Sequence, residues 1–291
     1  MPEVIRAAAE VSQVCARLKR EQRRLSLVPT MGFLHEGHLS LIRAAQQQCS
    51  PVIASIFVNP SQFGPSEDLT KYPRQMYADR AALEELRVDY LFAPTVKEMY
   101  PNGFRTYVQV EGLSERLEGK SRPGHFRGVT TVVLKLFEIV QPHFAFFGRK
   151  DAQQARIIQQ MTADLNLDTR VVICPTVREA DGLAMSSRNA YLRPEERRAA
   201  TALYRALGAA KKEIAGGERD AMRLAGVMRG VLSAETLASA DYAEIVDADT
   251  FEPVTRLRRT CLAVLAVFVG KTRLIDNMVI EEQDGAFVVT L

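Results

Sequence analysis

The sequence predicts an α/β protein: a parallel sheet covered by helices on both faces, followed by a smaller α+β domain. Three observations lead there. Up to about Thr176, short apolar runs alternate with segments of helical periodicity, as a chain of strand–helix–strand units requires. The run Val52–Val58 (VIASIFV) is continuously apolar, as a strand buried on both faces must be. Beyond Thr176 the alternation stops, and helices are followed by clustered strand candidates. The boundary is placed near residue 178, giving domains over 1–178 and 179–291.

The elements follow in order. Val11, Val14, Cys15 and Leu18 form one face of a first amphipathic helix. Leu25–Val28 reads as a strand, and a helix covers roughly Leu39–Gln48. After the Val52–Val58 strand come a helix over Tyr77–Arg87 and a short strand, Tyr90–Phe92. Val129–Val140 reads as a helix, Phe144–Phe147 as a strand, Asp151–Leu165 as a helix and Val171–Cys174 as a strand. A mobile loop rich in small and charged residues runs to Arg193. Pro194 then opens one long helix to about Ala215, since proline suits a first helical turn, and Gly216-Gly217 ends it. A helix over Arg219–Leu232 and strands at Tyr242–Val246, Leu262–Val269 and Arg273–Ile280 complete the pattern.

Charged residues make up 25% of the 291 and AVILMFWYC residues 47%, ordinary for a globular chain. With 38 basic against 35 acidic residues, the balance argues against a nucleic-acid scaffold, which needs a basic excess to neutralise phosphates. The most apolar run, Cys261–Val269, is far shorter than the ~20 residues that span a bilayer, so no membrane partner is expected. Glu3, Arg6 and Glu10 interrupt the alanine-rich start and argue against a secretory or transit peptide. None of the four cysteines lies in a Cys-x-x-Cys pair, and free thiols in a reducing compartment are expected. The expected location is the cytoplasm.

Four segments carry residues suited to chemistry. Met31-Gly-Phe-Leu-His-Glu-Gly-His38 holds two of the four histidines and follows the first predicted strand where a helix opens. Ligands of open parallel sheets bind beyond the strands' carboxyl ends, and helix N-termini there attract phosphate. Gly32 and Gly37 would let a ligand approach the backbone, and imidazoles donate hydrogen bonds to phosphate. Two surface histidines at a helix start is the plainer alternative. The His-x-x-His spacing does not match the zincin pattern, and the segment is neither a Walker A loop nor a Gly-x-Gly-x-x-Gly fingerprint. In Ser55–Gly64 a buried strand runs into Asn59-Pro60, a stop, so Asn59 and Gln62 lie near a strand's carboxyl end. Turn chemistry explains Asn59 well and Gln62 less well. In Phe146–Gln154, Asp151 suits a helix N-cap, with Lys150 beside it and Gln154 one turn along. In Arg178–Asn189, Ser186, Ser187 and Arg188 can wrap a polyphosphate. Arg122-Pro-Gly-His-Phe-Arg127 is a further basic loop of weak specificity.

Taken together, these segments resemble the pantothenate synthetase (pantoate–β-alanine ligase) family. The matching pieces are Pro29-Thr-Met-Gly with His35-Glu-Gly-His38, Phe57-Val-Asn-Pro-Ser-Gln-Phe-Gly64, Tyr72-Pro-Arg74, His125-Phe-Arg-Gly-Val129, Phe147-Gly-Arg-Lys-Asp151 with Gln153-Gln154, and Arg178–Asn189. They are dense from about residue 25 to 193 and thinner beyond. The resemblance implies a Rossmann-like nucleotidyltransferase domain, a smaller C-terminal domain that lids the site, and a homodimer. It implies attack of the pantoate carboxylate on the α-phosphorus of ATP, then of the β-alanine amine on the resulting pantoyl adenylate, with Mg²⁺ accompanying the ATP.

By that resemblance Met31, Gly32, Phe33, Leu34, His35, Glu36, Gly37 and His38 line the ATP site, with His38 the family's catalytic histidine. Gly148, Arg149, Lys150 and Asp151 match its second part, Lys150 on the phosphates and Asp151 near the ribose. Val177, Met185, Ser186, Ser187 and Arg188 match its third, while Gln62 and Gln154 match the residues that hold pantoate. His35, His38, Lys150 and Arg188 then form the set of donors and cations that would stabilise charge on leaving pyrophosphate. Arg149 departs from the family, where the position is more often Glu or Gln. Two other readings stand beside the ligase: a cofactor nucleotidyltransferase, against which the two glutamines argue because a phosphate-bearing acceptor favours arginines, and a non-catalytic nucleotide-binding module.

Overall fold

The computed structural model of the chain describes residues 1–65 and 67–291. Its contacts divide into two units: Met1–Arg149 with Gln153–Pro175, and Lys150–Ala152 with Thr176–Leu291.

The first unit is built on strands β1 (Glu3–Ile5), β2 (Ser26–Thr30), β3 (Val52–Ile56), β4 (Tyr90–Phe92), β5 (Phe144–Gly148) and β6 (Arg170–Cys174). They form one sheet in the order β1-β4-β3-β2-β5-β6, and every pairing is parallel. Its helices are α1 (Ala8–Arg20), α2 (Glu36–Gln48), α3 (Met76–Glu85), α4 (Val96–Met99), α5 (Glu118–Ser121), α6 (His125–Val140) and most of α7 (Ala152–Asp164). Successive strand residues point to opposite faces, and both faces are buried. Leu27, Ile53, Phe92, Ala145 and Phe147 pack with residues of α1, α6 and α7. Val28, Ala54, Leu91, Phe144 and Phe146 pack with Leu41, Ile42 and Ala45 of α2 and Leu83 of α3. This is why the strands read as unbroken apolar runs, and the α/β expectation holds.

In the second unit α8 (Pro194–Ala199), α9 (Ala202–Ala215) and α10 (Ala221–Ser233) precede strands β7 (Ala238–Asp247), β8 (Thr260–Val269), β9 (Thr272–Gln283) and β10 (Ala286–Thr290). The strands form an antiparallel sheet in the order β10-β9-β8-β7. Leu203, Leu207 and Ile214 of α9 and Leu224, Met228 and Leu232 of α10 pack on Ala263, Leu265, Leu274 and Met278 of the sheet. The α+β expectation holds here too.

Several expectations need correction. The single helix from Pro194 is two, because the chain turns at Ala200–Thr201, where the Thr201 hydroxyl donates to the Arg198 carbonyl at 2.8 Å. Helix α6 begins at His125, ahead of the expected Val129, directly after Gly124 in the left-handed region. Two strands were not foreseen. β1 is a three-residue edge strand too short for a period to show. β10 alternates exposed and half-buried residues and follows Asp284-Gly285, both at positive φ, a two-residue hairpin turn. Among the described residues no helix is long and apolar enough to cross a membrane.

Candidate active site

β2 lies between β3 and β5, and the chain runs from β2 to β3 and β4 on one side before returning to β5 on the other. The carboxyl ends of β2, β3 and β5 are thus neighbours at a topological switch point, where open parallel sheets bind ligands. Three of the four predicted segments leave the sheet there.

The first leaves β2 through a tight turn. The Thr30 hydroxyl donates to the Ser55 carbonyl at 2.7 Å and accepts from the Gly32 N–H at 3.2 Å. Gly32 and Phe33 both have positive φ. The buried carboxylate of Asp79, on α3, accepts from the N–H groups of Phe33 at 2.9 Å and Leu34 at 2.7 Å. Those two donors are committed within the chain, so Phe33 and Leu34 have no backbone N–H to spare for a ligand. A Cβ at Gly32 would meet Asp79 Oδ2 and Ile56 Cγ2, each at 3.0 Å, so the glycine answers the chain's own packing as well as any ligand.

His35 caps α2. Its Nδ1 accepts from the Gly37 N–H at 3.2 Å, and Nδ1 of His38 faces the His35 N–H at 3.4 Å. The ring centroids are 4.1 Å apart. With each Nδ1 serving as acceptor, the neutral rings carry their proton on Nε2. Helix capping therefore sets both histidines as Nε2–H donors, the form that suits a phosphate oxygen. The Glu36 carboxylate is ion-paired with Arg43 along the same helix.

The second segment leaves β3. Asn59 is buried and saturated: its Oδ1 accepts from the Ser61 hydroxyl at 2.9 Å and the Tyr100 hydroxyl at 2.8 Å, and its Nδ2 donates to Gln62 Oε1 at 3.0 Å and the Gly128 carbonyl at 3.1 Å. Asn59 is thus a structural residue. Gln62 differs. Its oxygen is held by Asn59, but among the described residues its Nε2 meets only the Met31 sulfur, at 3.1 Å, a weak acceptor. This contact brings the first and second segments together. The Gln62 backbone carbonyl accepts from His125 Nδ1 at 2.8 Å, while Arg122 Nη1 lies 3.0 Å from His125 Nε2. Burial, and then the Arg122 charge, lower the His125 pKa to about 4, so the ring is neutral and donates through Nδ1. Arg122 itself pairs with Glu67 at 2.7 Å, so its charge is balanced within the chain and, through His125, it helps position Gln62.

The third segment leaves β5 at Gly148 through a 3-10 turn, Arg149–Asp151. Lys150 Nζ lies 3.3 Å from Asp151 Oδ1, and Asp151 immediately precedes α7. The adjacent glutamines have opposite fates. Gln153 is buried; it accepts from the Glu118 N–H and donates to the Leu113 and Arg116 carbonyls. Gln154 is half-buried, and its amide makes no hydrogen bond among the described residues.

The fourth segment, expected as a mobile loop, is a hydrogen-bonded hairpin. Arg178 bridges Ala184, and the Met185 N–H donates to the Val177 carbonyl at 3.0 Å, which places Val177 opposite Met185. The chain then enters a 3-10 turn, Ser187–Tyr191, capped by Ser186, whose Oγ accepts from the Arg188 N–H at 3.3 Å. Arg197 ties down Glu179 at 2.6 Å and Asp181 at 2.7 Å. The physical reason for the correction is that the segment bonds to itself, at Arg178 with Ala184 and Ser186 with Arg188, and is tied from outside by Val177 and Arg197.

Asp79, His125 and Gly128 were not singled out as site residues. A Cβ on Gly128 would run into the Ser61 carbonyl and lie 2.6 Å from Gln62 Cα, so the glycine sets how close α6 approaches the Gln62 turn. Among the described residues no group of three or more His, Cys, Asp or Glu side chains is gathered as for a metal ion.

Comparison with known proteins follows the same lines. A family model described as pantoate–β-alanine ligase matches residues 3–279. A pantothenate synthetase of Roseiflexus sp. (strain RS-1) is 56% identical over 278 residues, 96% of this chain and 99% of that protein. One from Heliobacterium modesticaldum is 55% identical over the same shares. Among solved structures, the pantothenate synthetase of Thermus thermophilus superposes with a TM-score of 0.90 at 45% identity, covering 94% of this chain and 98% of that one. The pantoate–β-alanine ligase of Francisella tularensis, complexed with beta-gamma ATP and β-alanine, gives 0.78 at 34% identity, covering 95% and 97%.

Proposed function

Because the chain belongs to the pantoate–β-alanine ligase family, we propose that it joins (R)-pantoate to β-alanine at the expense of ATP, through a pantoyl-adenylate intermediate. The pantoate carboxylate attacks the α-phosphorus of ATP, the bond to the β-phosphate breaks, and pyrophosphate leaves. The β-alanine amine then attacks the acyl carbon, AMP leaves, and pantothenate forms as the amine loses a proton. Mg²⁺ enters with ATP as part of the substrate; it is a cation that keeps phosphate and water ligands rather than needing an all-protein cage.

One observation carries the reading. Gln62 is held at its oxygen by Asn59, while its N–H donor faces the Met31 sulfur beside the nucleotide turn. A carboxylate or hydroxyl oxygen is a far better acceptor than a thioether, so a small hydroxy acid gains a hydrogen bond that the chain itself satisfies poorly. Gln154 supplies a second amide for the same substrate. His35 and His38 donate through Nε2 to the phosphates, and Lys150 and Arg188 neutralise the charge that builds on the leaving pyrophosphate. Met31–His38, Gly148–Asp151 and Val177 with Met185–Arg188 form the ATP site, with Asp151 at the ribose. Residues 1–178 act as the nucleotide- and pantoate-binding domain and 179–291 as its lid, in a cytoplasmic homodimer.

The test is AMP release with each substrate omitted in turn, beside isotope exchange between pyrophosphate and ATP. AMP release requires pantoate, MgATP and β-alanine together, whereas exchange requires pantoate and MgATP alone. Exchange that waits for β-alanine would exclude the acyl adenylate. No AMP with all substrates present would sink the ligase reading.

A further inference from the structure

In the second unit, two neighbouring residues of β9 hold two of the segments assigned to ATP. Leu274, Met278 and Ile280 of β9 face the apolar core, and Asp276 occupies the position between them. A carboxylate there is costly, and burial pushes its pKa up. Arg178 answers it with two hydrogen bonds, at 2.7 and 3.0 Å, and the Asn277 N–H adds a third at 2.8 Å. Arg178 also donates to the Gly182 carbonyl at 3.0 Å and lies over the Tyr204 ring. Gly182 packs so closely on that ring that a Cβ would overlap it. The ion pair thus fixes the hairpin leading to Met185, Ser186, Ser187 and Arg188. Asn277, one residue on, points to the opposite face of the sheet, as strand geometry requires. Its Nδ2 donates to the Lys150 carbonyl at 2.8 Å.

We propose that Asp276 and Asn277 are positioning residues for the adenylation step: Asp276, through Arg178, sets the segment that carries Arg188, and Asn277 sets the backbone that carries Lys150. The inference rests on the ligase reading above. Stability alone is a weak reason for a charged pair in an apolar core, because well-packed apolar residues serve as well or better. Holding two phosphate-binding segments at fixed positions on one rigid strand is a reason, since small displacements of such groups are expensive in rate.

Two variants test it in the full-length protein. Arg178→Met/Asp276→Leu replaces the pair by apolar side chains of similar size. Asn277→Ala removes the donor to Lys150 and leaves the ion pair in place. Thermal unfolding reports the fold, and pantoate-dependent pyrophosphate–ATP exchange reports adenylation. The expected result is a double variant with a Tm at or above that of the unmodified protein, together with at least a five-fold loss of exchange kcat in each variant. KM for ATP and pantoate should change less than kcat, because the positioned cations act mainly on charge that develops in the transition state. A less than five-fold loss in a folded Asn277→Ala protein, or a loss confined to KM, overturns the inference. Asn277→Ala decides the matter alone if the double variant fails to fold. Unmodified protein that catalyses no pantoate-dependent exchange overturns the ligase reading and this inference with it.

Discussion

A primary amide has a donor end and an acceptor end, and at Gln62 the two meet partners of unequal strength. The Asn59 amide holds the oxygen, whereas the nitrogen faces a thioether. Replacing Gln62 by Met keeps the volume and removes the amide, both its donor and the oxygen that accepts from Asn59. The expected result is a rise in pantoate KM of roughly ten-fold, the worth of one hydrogen bond to a charged group, beside a stability loss of about 1 kcal/mol, because Asn59 Nδ2 keeps only the Gly128 carbonyl. An unaltered pantoate KM in steady-state kinetics would take Gln62 out of the substrate site. Lys150→Ala should instead lower kcat by about 100-fold or more, the effect expected of the role proposed for its charge on the leaving pyrophosphate. Its ammonium pairs with the half-exposed Asp151, so the melting temperature should hold; turnover at the original rate would remove Lys150 from the mechanism. Sequence reasoning reached Gln62 through a strand stop and Lys150 through a helix start. It had no means to tell that Gln153 is consumed by the chain while Gln154 is not, because Gln153's partners lie between Leu113 and Glu118, 35 to 40 positions away.

The element that matters most is the turn from β2 into α2. Asp79 lies 46 residues from Phe33 and 45 from Leu34, yet holds both N–H groups. Asp79→Ala leaves two backbone donors without their acceptor, and the expected cost is about 2 kcal/mol in denaturant unfolding together with a higher ATP KM. Asp79→Asn retains one acceptor oxygen and should fall between. Unfolding curves that coincide for all three proteins would show that the turn stands without its clamp. The same turn orients His35 and His38, whose neutral rings are expected as Nε2–H tautomers in long-range ¹H–¹⁵N spectra; an Nδ1–H pattern for both would overturn the capping argument. Elements with a strong period were legible, and elements set by one or two residues were less so. The Asp284-Gly285 dipeptide is a hairpin sign that could have placed β10. The break at Ala200–Thr201 has no comparable sign, for alanine and threonine continue a helix as readily as they interrupt one.

At the scale of the whole molecule, the fold was legible because burial on both faces of the parallel sheet leaves its imprint on the central strands β2, β3 and β5. The residues that position the site were not, because their partners are distant in sequence: 63 residues between Gln62 and His125, 98 between Arg178 and Asp276, 127 between Lys150 and Asn277. No local pattern encodes such pairs. His125 shows what the distant contacts do to the molecule as a whole. It is enclosed by Arg122, Glu67, Glu118 and the Gln62 carbonyl, and its pKa falls from 6.5 to about 4, mainly through burial. The unfolded chain therefore takes up the proton first as the solution is acidified. Stability attributable to this ring is complete above about pH 6.5, declines as the pH falls towards 4, and levels off below that. The loss amounts to about 2 kcal/mol by pH 5. His125→Gln keeps a donor for the Gln62 carbonyl and does not titrate, so carboxylate effects common to both proteins cancel in the comparison. Urea unfolding at pH 7 and pH 5 should show the unmodified protein losing about 2 kcal/mol more than the variant. Equal losses in the two proteins would mean that the ring titrates alike folded and unfolded, and that the Arg122–His125–Gln62 chain does not hold it neutral.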